Sequence, residues 1–528
     1  MKDFTYETKS MDVTLSEGRK KTFLLGTASS YGATIVSILV GLISVPIGLH
    51  YFGPVRYGIW AIISSVIAYL SISDLGIPTA ESTLIAKASE PFEQWAVLRR
   101  SLFLLLISSA VVLSVVLGIA HFYPGWVVAL GKVPANLQGE AAEAAIAIAI
   151  LFLLNLPLTV FSSGFFGLQK VYWHQFYASL TKIAGLVALI LTVFLLKGNL
   201  VTLALFRGFA TLFVGVVCAS HFLFTNSELR QKFVKPINKE FSTISIFTSG
   251  IRFFVIGIAT LVILNTDNLV ISHYIGPKSV TPYAITFALF TVGFSTFIAV
   301  NGALRPMYGQ SAGKNHWEWV QQTYNHAVHL LPILGGLLWV GGIAFAKEII
   351  NLWAGPDAYG GLLVVIALGG YGYTRSLVDT HATIIGALNR TKNMVVFGWL
   401  EATFNLGISL ALVSVLGIGG VALGTFLASL MTVFWLLPLD IRHQTAGKVK
   451  IHIKPIMSHA IGVMFPCLTL VLLTYLYAPV TWIRVIINIF IITLYLTLSW
   501  SIMPLDTRNL IKNTLTELYV HLKTMIKI

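Results

Sequence analysis

The stretch His50-Tyr51-Phe52-Gly53-Pro54 lies between two long apolar runs, and it nearly recurs, 223 positions later, as His273-Tyr274-Ile275-Gly276-Pro277. Both copies follow the pattern H-Y-x-G-P, and glycine followed by proline is typical of a tight turn between two helices. In each copy one apolar segment ends at the turn and another begins after it. The chain is therefore predicted to consist of two copies of one helical unit.

The composition is that of a membrane protein. Of the 528 residues, 56% are hydrophobic and 11% are charged, and most of the chain falls into apolar runs near the ~20 residues needed to cross a membrane. Residues 1–20 are polar, and the run after them is too long for a signal-peptide core, so we expect the first span to be retained. The two cysteines lie in apolar runs, which predicts buried thiols rather than a disulfide framework.

The apolar runs predict an all-α polytopic membrane protein with about fourteen transmembrane helices. The predicted spans are residues 22–50, 56–74, 98–120, 143–164, 177–196, 199–224, 244–273, 281–303, 326–346, 359–386, 395–415, 418–440, 456–477 and 483–503.

The distribution of basic residues predicts the orientation in the membrane. If the N-terminus is cytoplasmic, most of the 35 Lys and Arg fall in cytoplasmic segments, as the positive-inside rule requires. Both termini are then cytoplasmic, and both H-Y-x-G-P turns lie on the outer side. The net charge of +14 is explained by this topology and by anionic lipid headgroups, so no nucleic-acid partner is expected.

The two turns are separated by an even number of spans, which predicts two six-helix lobes related by a parallel repeat about the membrane normal.

The C-terminal tail places apolar residues at helical spacing, which suits a helix on the membrane surface or one packed against the protein. The predicted parts are a cytoplasmic N-terminal segment (1–21), an N-lobe of spans 1–6 (22–224), a basic cytoplasmic linker (225–243), a C-lobe of spans 7–12 (244–440), two extra spans (441–503) and an amphipathic cytoplasmic tail (504–528).

Sequence patterns for catalysis are absent. The chain has no P-loop, no H-E-x-x-H and no G-x-S-x-G, and its histidines are not at metal-ligand spacing. We therefore predict that it is not an enzyme, and we assign no catalytic residue, no metal site and no cofactor.

The functional candidates are charged residues inside spans, because such residues are costly in hydrocarbon and usually face an interior or a water-filled cavity. Arg252, Arg375 and Arg207 are candidate substrate-binding cations, since a guanidinium forms forked bonds to phosphate oxygens. The alternatives stay open. Arg252 could instead form a structural ion pair, and Arg375 could be neutralised by Asp379 at i+4. Lys182, near a span end, is better explained by snorkelling.

The candidate coupling or gating acids are Asp267, Asp379 and Asp74. Asp267 lies within two turns of the second H-Y-x-G-P and is the best candidate for a proton or cation site. Asp74 ends span 2, where a helix-end role also fits. Glu401 is a further acid inside a span.

The first copy of the repeat lacks the charges of the second. Ser44 and Ser29 stand at the positions that match Asp267 and Arg252. The charge of a cavity between the lobes is therefore predicted to be asymmetric.

The chain resembles the polysaccharide-transport branch of the superfamily that also contains the multidrug-and-toxin exporters and the lipid II flippases. The resemblance rests on YFGPVRYGIWAIISSVIAYLSISDLG (51–76) and GIRFFVIGIATLVILNTDNLVISHYIGPKSVTPYAI (250–285). The positions expected in that branch are filled by Gly53, Tyr57, Gly58, Asp74, Leu75, Gly76, Thr266, Asp267, Ile271 and Gly276.

This resemblance implies a flippase that moves polyprenyl-pyrophosphate-linked oligosaccharide from the inner to the outer leaflet of a bacterial inner membrane, for surface polysaccharides such as O-antigen. Two rocking lobes would form a V-shaped cleft lined by spans 1, 2, 7 and 8, with Arg252 facing the cleft and Asp267 near its outer gate. The implied partners are the lipid-linked glycan, membrane lipids, and polysaccharide polymerases and glycosyltransferases. The alternatives are a cation-coupled drug or small-molecule exporter of the same fold, and a membrane polysaccharide polymerase or glycosyltransferase.

Overall fold

The structure is a computed structural model that describes residues 17–88, 90–230, 241–388, 390, 392–477 and 481–526. Within these ranges the chain is helical and contains no strand. The α-helices are α1 (Glu17–Leu70), α2 (Ile77–Lys87), α3 (Pro91–Phe122), α4 (Gln138–Asn155), α5 (Thr159–Gly167), α6 (Val171–Ile190), α7 (Leu200–Thr225), α8 (Thr243–Tyr274), α9 (Pro277–Gly313), α10 (Trp317–Ala354), α11 (Leu362–Ala387), α12 (Lys392–Met431), α13 (Val433–Gln444), α14 (Ile453–His459), α15 (Phe465–Tyr477), α16 (Thr481–Ile502) and α17 (Leu505–Ile526).

Eleven segments of the described chain are long and apolar enough to cross a membrane. Two of them, Ala28–Asp74 and Lys392–Gln444, have 47 and 53 residues, which is enough for two crossings each. Helix α11 is not among the eleven, although its 26 residues would reach about 39 Å. It carries Arg375 and Asp379, and most of its residues are buried. The prediction of an all-α polytopic membrane protein is confirmed, and the fourteen predicted spans can be accommodated.

Helix α1 folds back on itself at Gly53. A Cβ atom on Gly48 would lie 3.4 Å from the ring of Tyr57, whereas nine residues of straight helix would separate them by about 13 Å. Gly53 has a φ of 71°, a conformation that only glycine adopts freely. The first H-Y-x-G-P is therefore a tight turn between two helical arms.

The second H-Y-x-G-P has the same backbone shape. Gly276 has a φ of 125° and a ψ of 165°, close to the ψ of 169° at Gly53. In both copies the following proline opens the next helix, where its missing N–H costs nothing. The repeat seen in the sequence is thus present in the backbone.

A third reversal lies at Gly417 in α12, where φ is 58°. Asn405 Nδ2 donates to Thr425 Oγ1 at 2.8 Å, and Ser409 Oγ donates to the carbonyl of Val421 at 3.3 Å. Because these pairs are 20 and 12 residues apart, α12 consists of two antiparallel arms.

We call residues 17–230 the first half and residues 241–444 the second half. The end of the bundle that contains Gly53 and Gly276 is called the turn face, and the opposite end is called the far face. Helix α1 packs against α6 and α9, α8 packs against α12, and one hydrophobic core extends through both halves. The predicted lobe boundaries stay predictions, and residues 1–16 and 231–240, in the predicted N-terminal segment and linker, lie outside the described residues.

Helices α15 and α16 dock on the second half through α10. Tyr495 donates to the carbonyl of Ile333 at 2.7 Å, and Asn488 Nδ2 donates to the carbonyl of Ala344 at 3.0 Å. Arg484 pairs with Glu348 near the turn-face end of α10. These polar contacts along one seam fix the two extra spans to α10. The predicted tail forms helix α17.

Candidate functional site

Asp267 lies in α8, seven residues or about 10 Å from the turn-face end of the helix, and it is only 3% exposed. Its Oδ2 accepts hydrogen bonds from the hydroxyls of Tyr283 and Thr425, the latter at 2.8 Å. Asn405 donates to the same Thr425 hydroxyl at 2.8 Å. Among the described residues, Oδ1 of Asp267 and Oδ1 of Asn405 have no hydrogen-bond partner. A buried carboxylate without a cationic partner is costly even when it accepts hydrogen bonds, which makes Asp267 a candidate site for a proton or cation.

Two chain reversals assemble this Asp267 site. The turn at Gly276 brings Tyr283 of α9 back against Asp267, and the reversal at Gly417 places Thr425 beside Asn405. Sequence reasoning singled out only Asp267, because neutral polar residues in apolar spans are common and carry no signal of their own. The signal that could have identified them is their position: Tyr283 follows the turn at Gly276, and Asn405 and Thr425 lie on either side of the turn at Gly417.

A second charged cluster lies between α11 and α12. Arg375 pairs with Asp379, one turn away on the same helix, and its Nη1 is 3.8 Å from Glu401 Oε2 on α12. The side chain of Glu401 is 3% exposed, while those of Arg375 and Asp379 are 28% and 18% exposed. Arg375 is therefore neutralised from two sides. Two carboxylates thus share one guanidinium, and Asp267 makes no ion pair within the described part of the chain.

We predict that Arg375→Ala lowers the free energy of unfolding by about 3–5 kcal/mol, because it leaves the buried Glu401 carboxylate unpaired. Thermal unfolding in detergent measures the loss. The matched control removes all three charges together, as Arg375→Met with Asp379→Asn and Glu401→Gln, and it should recover most of the stability. A single variant as stable as the wild type would contradict the ion cluster.

The other predicted residues lie apart from these clusters. The guanidinium of Arg207 lies over the ring of Trp60, 5.6 Å from its centroid. Asp74 Oδ1 accepts from the backbone N–H of Gly76 at 2.7 Å, which fits a helix-end role. Lys182 Nζ donates to Ser37 Oγ at 2.6 Å. Arg252 lies in α8, but its side chain is outside the described part of the structure.

The two H-Y-x-G-P turns contact each other across the halves. Thr281 Oγ1 donates to the carbonyl of Pro54 at 2.6 Å. In the converse contact, a Cβ on Gly58 would lie 1.9 Å from the carbonyl oxygen of Pro277. Position 58 matches position 281 in the repeat, and Pro54 matches Pro277. The contact is therefore reciprocal, as expected at a two-fold axis between copies of one unit, and it closes the turn face.

Contacts between the halves continue from the turns toward the far face. Asn268 Nδ2 donates to Ser65 Oγ at 2.9 Å, and Tyr69 shares a hydrogen bond with Thr266. At the far end, a Cβ on Gly76 would lie 2.3 Å from the carbonyl oxygen of Gly250. The first half is thus in contact with α8 from the turn face to the far end.

A buried acid near the far face was missed by sequence reasoning. Glu81, in the short helix α2, is 0% exposed. Its Oε2 accepts from Ser163 Oγ at 2.9 Å, and Oε1 has no partner within the described chain. Burial raises the pKa of this carboxyl well above its ordinary value of 4.5, and the Ser163 hydrogen bond offsets only part of the shift. No apolar periodicity distinguishes this glutamate from an exposed one.

The raised pKa predicts a pH dependence of stability. The folded state holds the Glu81 proton more tightly than the unfolded state, so its contribution is fully present below pH 4.5 and is lost as the pH rises through the folded pKa. The slope is at most about 1.4 kcal/mol per pH unit for one group. Glu81→Gln should flatten the fall in melting temperature between pH 5 and 8. Glu318→Gln, at an exposed position, should leave the fall in melting temperature unchanged. Equal slopes in the wild type and both variants would contradict the raised pKa of Glu81.

The fold is that of the transporter superfamily that contains the multidrug exporters and the lipid II flippases. A solved lipid II flippase MurJ in an inward closed conformation superposes with a TM-score of 0.67 at 15% identity, covering 89% of this chain and 98% of that chain. An inward-facing multidrug MATE-family transporter gives 0.63 at 17% identity, covering 78% and 96%. At these identities the likeness concerns the fold.

The chain belongs to the family described as "Polysaccharide biosynthesis protein", whose model matches residues 23–311. The MatE family model matches residues 253–370. A protein of Salmonella typhimurium named as an O-antigen transporter is 29% identical over 37% of this chain and 46% of its own length. A Salmonella typhi protein of the same name is 22% identical over 79% and 95%. The predicted family is confirmed, and these relatives are transport proteins, in agreement with the prediction of a non-enzyme.

Proposed function

We propose that this protein is a flippase that moves polyprenyl-pyrophosphate-linked oligosaccharide from the inner to the outer leaflet of a bacterial inner membrane. The reciprocal contact of Pro54 with Thr281 and of Gly58 with Pro277 carries the proposal. It joins matching positions of the two copies at the turn face, where a gate between rocking lobes would lie. The relatives named as O-antigen transporters support a glycan as substrate, and the fold of the lipid II flippase MurJ supports a flippase.

The proposed orientation places the turn face outside and both termini in the cytoplasm. The excess of Lys and Arg in the segments of the far face supports it. In this orientation the contact between the turns lies on the outer side, and the contact of Gly76 with Gly250 joins the halves on the inner side. The predicted lobes, 22–224 and 244–440, would then be the bodies that rock.

The proposed coupling site is Asp267, with Tyr283, Thr425 and Asn405 as its neutral partners. Unpartnered carboxylate and amide oxygens in one place suit a proton or a hard cation. Asp379 belongs to the neighbouring ion cluster, and Asp74 is proposed only as a gate element at a helix end.

For the substrate phosphates, the proposal rests on Arg252 and Arg207. Arg375 is paired with Asp379 and Glu401, so it would reach a phosphate only if that cluster rearranged. Arg252→Ala is expected to reduce glycan export, and a variant that is expressed normally and exports fully would remove this assignment.

The test of the function is a knockout of the gene followed by leaflet-specific labelling of the lipid-linked glycan. We expect glycan to accumulate in the inner leaflet and surface polysaccharide to be lost, with both effects reversed by the wild-type gene. Normal distribution between leaflets would overturn the proposal. A drug exporter of the same fold is the second candidate, because the acids inside the second half, Asp267, Asp379 and Glu401, would suit cation coupling. Increased drug susceptibility with normal surface glycan would favour it.

A further inference from the structure

Two further segments lie on the turn face, outside the H-Y-x-G-P turns. One joins α3 to α4 and contains Gly131, and the other joins α10 to α11 and contains Gly355. Both glycines have a positive φ, 104° and 94°. They lie 224 positions apart, almost the offset of the two H-Y-x-G-P copies. The internal repeat therefore extends to these loops.

The loop from the first half caps a helix of the second half. The backbone N–H of Lys132 donates to the carbonyl of Ser272 at 3.1 Å, and Lys132 Nζ donates to the carbonyl of Tyr274 at 2.7 Å. Ser272 Oγ donates in return to the carbonyl of Leu130 at 2.5 Å. Ser272 and Tyr274 lie in the last turn of α8, where carbonyls lack partners within the helix and a lysine is favourable. Lys132 therefore supplies the C-terminal cap of α8.

The same loop is also packed by apolar side chains. Four of them are at most 8% exposed and belong to the core cluster that contains Val270 and Ile271 of α8. These four residues are Val127, Leu130, Val133 and Leu137. Gly131 itself lies so close to α8 that a Cβ would be 2.5 Å from the carbonyl carbon of Ser272. The loop is thus fitted to the end of α8 rather than lying free above it.

The last turn of α10, directly before the second loop, contacts the first half. Trp353, in the last turn of α10, donates from Nε1 to the carbonyl of Leu42 in α1 at 2.8 Å. Four residues after Leu42 stands Pro46, which has no N–H. The Leu42 carbonyl is therefore left without its usual helical partner, and the indole of the other half takes that place.

We propose that the two loops are reciprocal latches. Lys132 in the first loop and Trp353 directly before the second loop each satisfy a carbonyl that the first long helix of the other half cannot satisfy itself, and together the latches hold the turn face closed. Opening of the turn face requires both latches to release. This inference rests on the proposed alternating access, and it assigns Lys132 and Trp353 as positioning residues that set the balance between closed and open states.

The test measures conformation in purified full-length protein in lipid nanodiscs without glycan. Spin labels replace the exposed Lys197 of the first half and Lys347 of the second half, and the native cysteines are buried. Loss of one hydrogen bond in Lys132→Ala or Trp353→Phe should raise the population with the turn face open about two- to tenfold. The double variant should give the product of the two factors, because the contacts are separate.

A pair of glycine variants separates latch contact from backbone strain. Gly131→Ala introduces both a strained φ and a clash with Ser272, whereas Gly447→Ala introduces strain alone, at a φ of 74° with nothing within 4 Å. The open population should rise in the first and stay at the wild-type value in the second, because position 447 lies outside both latch loops. Equal values for the two, or an unchanged population in either Lys132→Ala or Trp353→Phe, would overturn the reciprocal latch. The measurement uses no glycan. The latch proposal can therefore be tested even if glycan is not the substrate.

Discussion

Asp267→Asn should reduce glycan export about five- to 150-fold, the range expected when the coupling between two sites is lost. Asparagine keeps the size of the side chain, and its one oxygen can still accept from Tyr283 or Thr425. It removes the negative charge that would hold a proton or cation at a position only 3% exposed. Complementation of a knockout strain, with surface glycan quantified per unit of membrane-inserted protein, measures the effect.

The matched control for this variant is Asp506→Asn, at an exposed acid at the start of α17. It changes the net charge equally and should leave export unchanged. Folding is checked separately, since Asp267→Asn relieves a buried charge and should not lower the melting temperature. Full export by a normally inserted Asp267→Asn protein would refute the coupling role.

Gly58→Ala should abolish the closed turn face and, with it, most export. The new Cβ would lie 1.9 Å from the carbonyl oxygen and 2.7 Å from the carbonyl carbon of Pro277. Backbone atoms at the start of α9 cannot move aside as a flexible side chain can. Overpacking of this kind costs about 1–3 kcal/mol, which would shift the closed-to-open balance about five- to 150-fold.

The control for Gly58→Ala is Gly41→Ala in the same helix. A Cβ at Gly41 meets nothing within 4 Å, and alanine is the better helix former, so this variant should export normally. Glycan export and the spin-label distance across the turn face measure both variants. Normal export and a normal closed population in Gly58→Ala would mean that the reciprocal turn contact is not a gate.

Much of the architecture was predictable because it depends on local properties of the chain. Apolar runs of a fixed length predict membrane helices, and a glycine followed by proline predicts a turn. The copies at Gly53 and Gly276 indeed share a positive φ and an extended ψ. The charge in the second half could also be foreseen, since Ser44 and Ser29 stand where the second copy has Asp267 and Arg252.

The partners of each charge were not predictable in the same way. Arg375 and Asp379 are one turn apart on α11, so their pairing could be considered from spacing alone. Glu401 comes from another helix, and only packing brings it to 3.8 Å from Arg375. The neighbour of Arg207 is Trp60, from a helix far away in the sequence. Contacts of this kind depend on how helices pack, which sequence spacing does not encode.

The sequence by itself determined that this chain is a helical membrane protein, built twice from one unit around an H-Y-x-G-P turn. These features follow from hydrophobic length and from the backbone needs of glycine and proline. Only the tertiary structure decided that the two turns meet, that Asp267 faces neutral donors while Arg375 is already neutralised, and that Lys132 of the first half caps α8 of the second half. The physical reason is that burial and polar pairing are set by contacts through space, between residues that the chain itself keeps far apart.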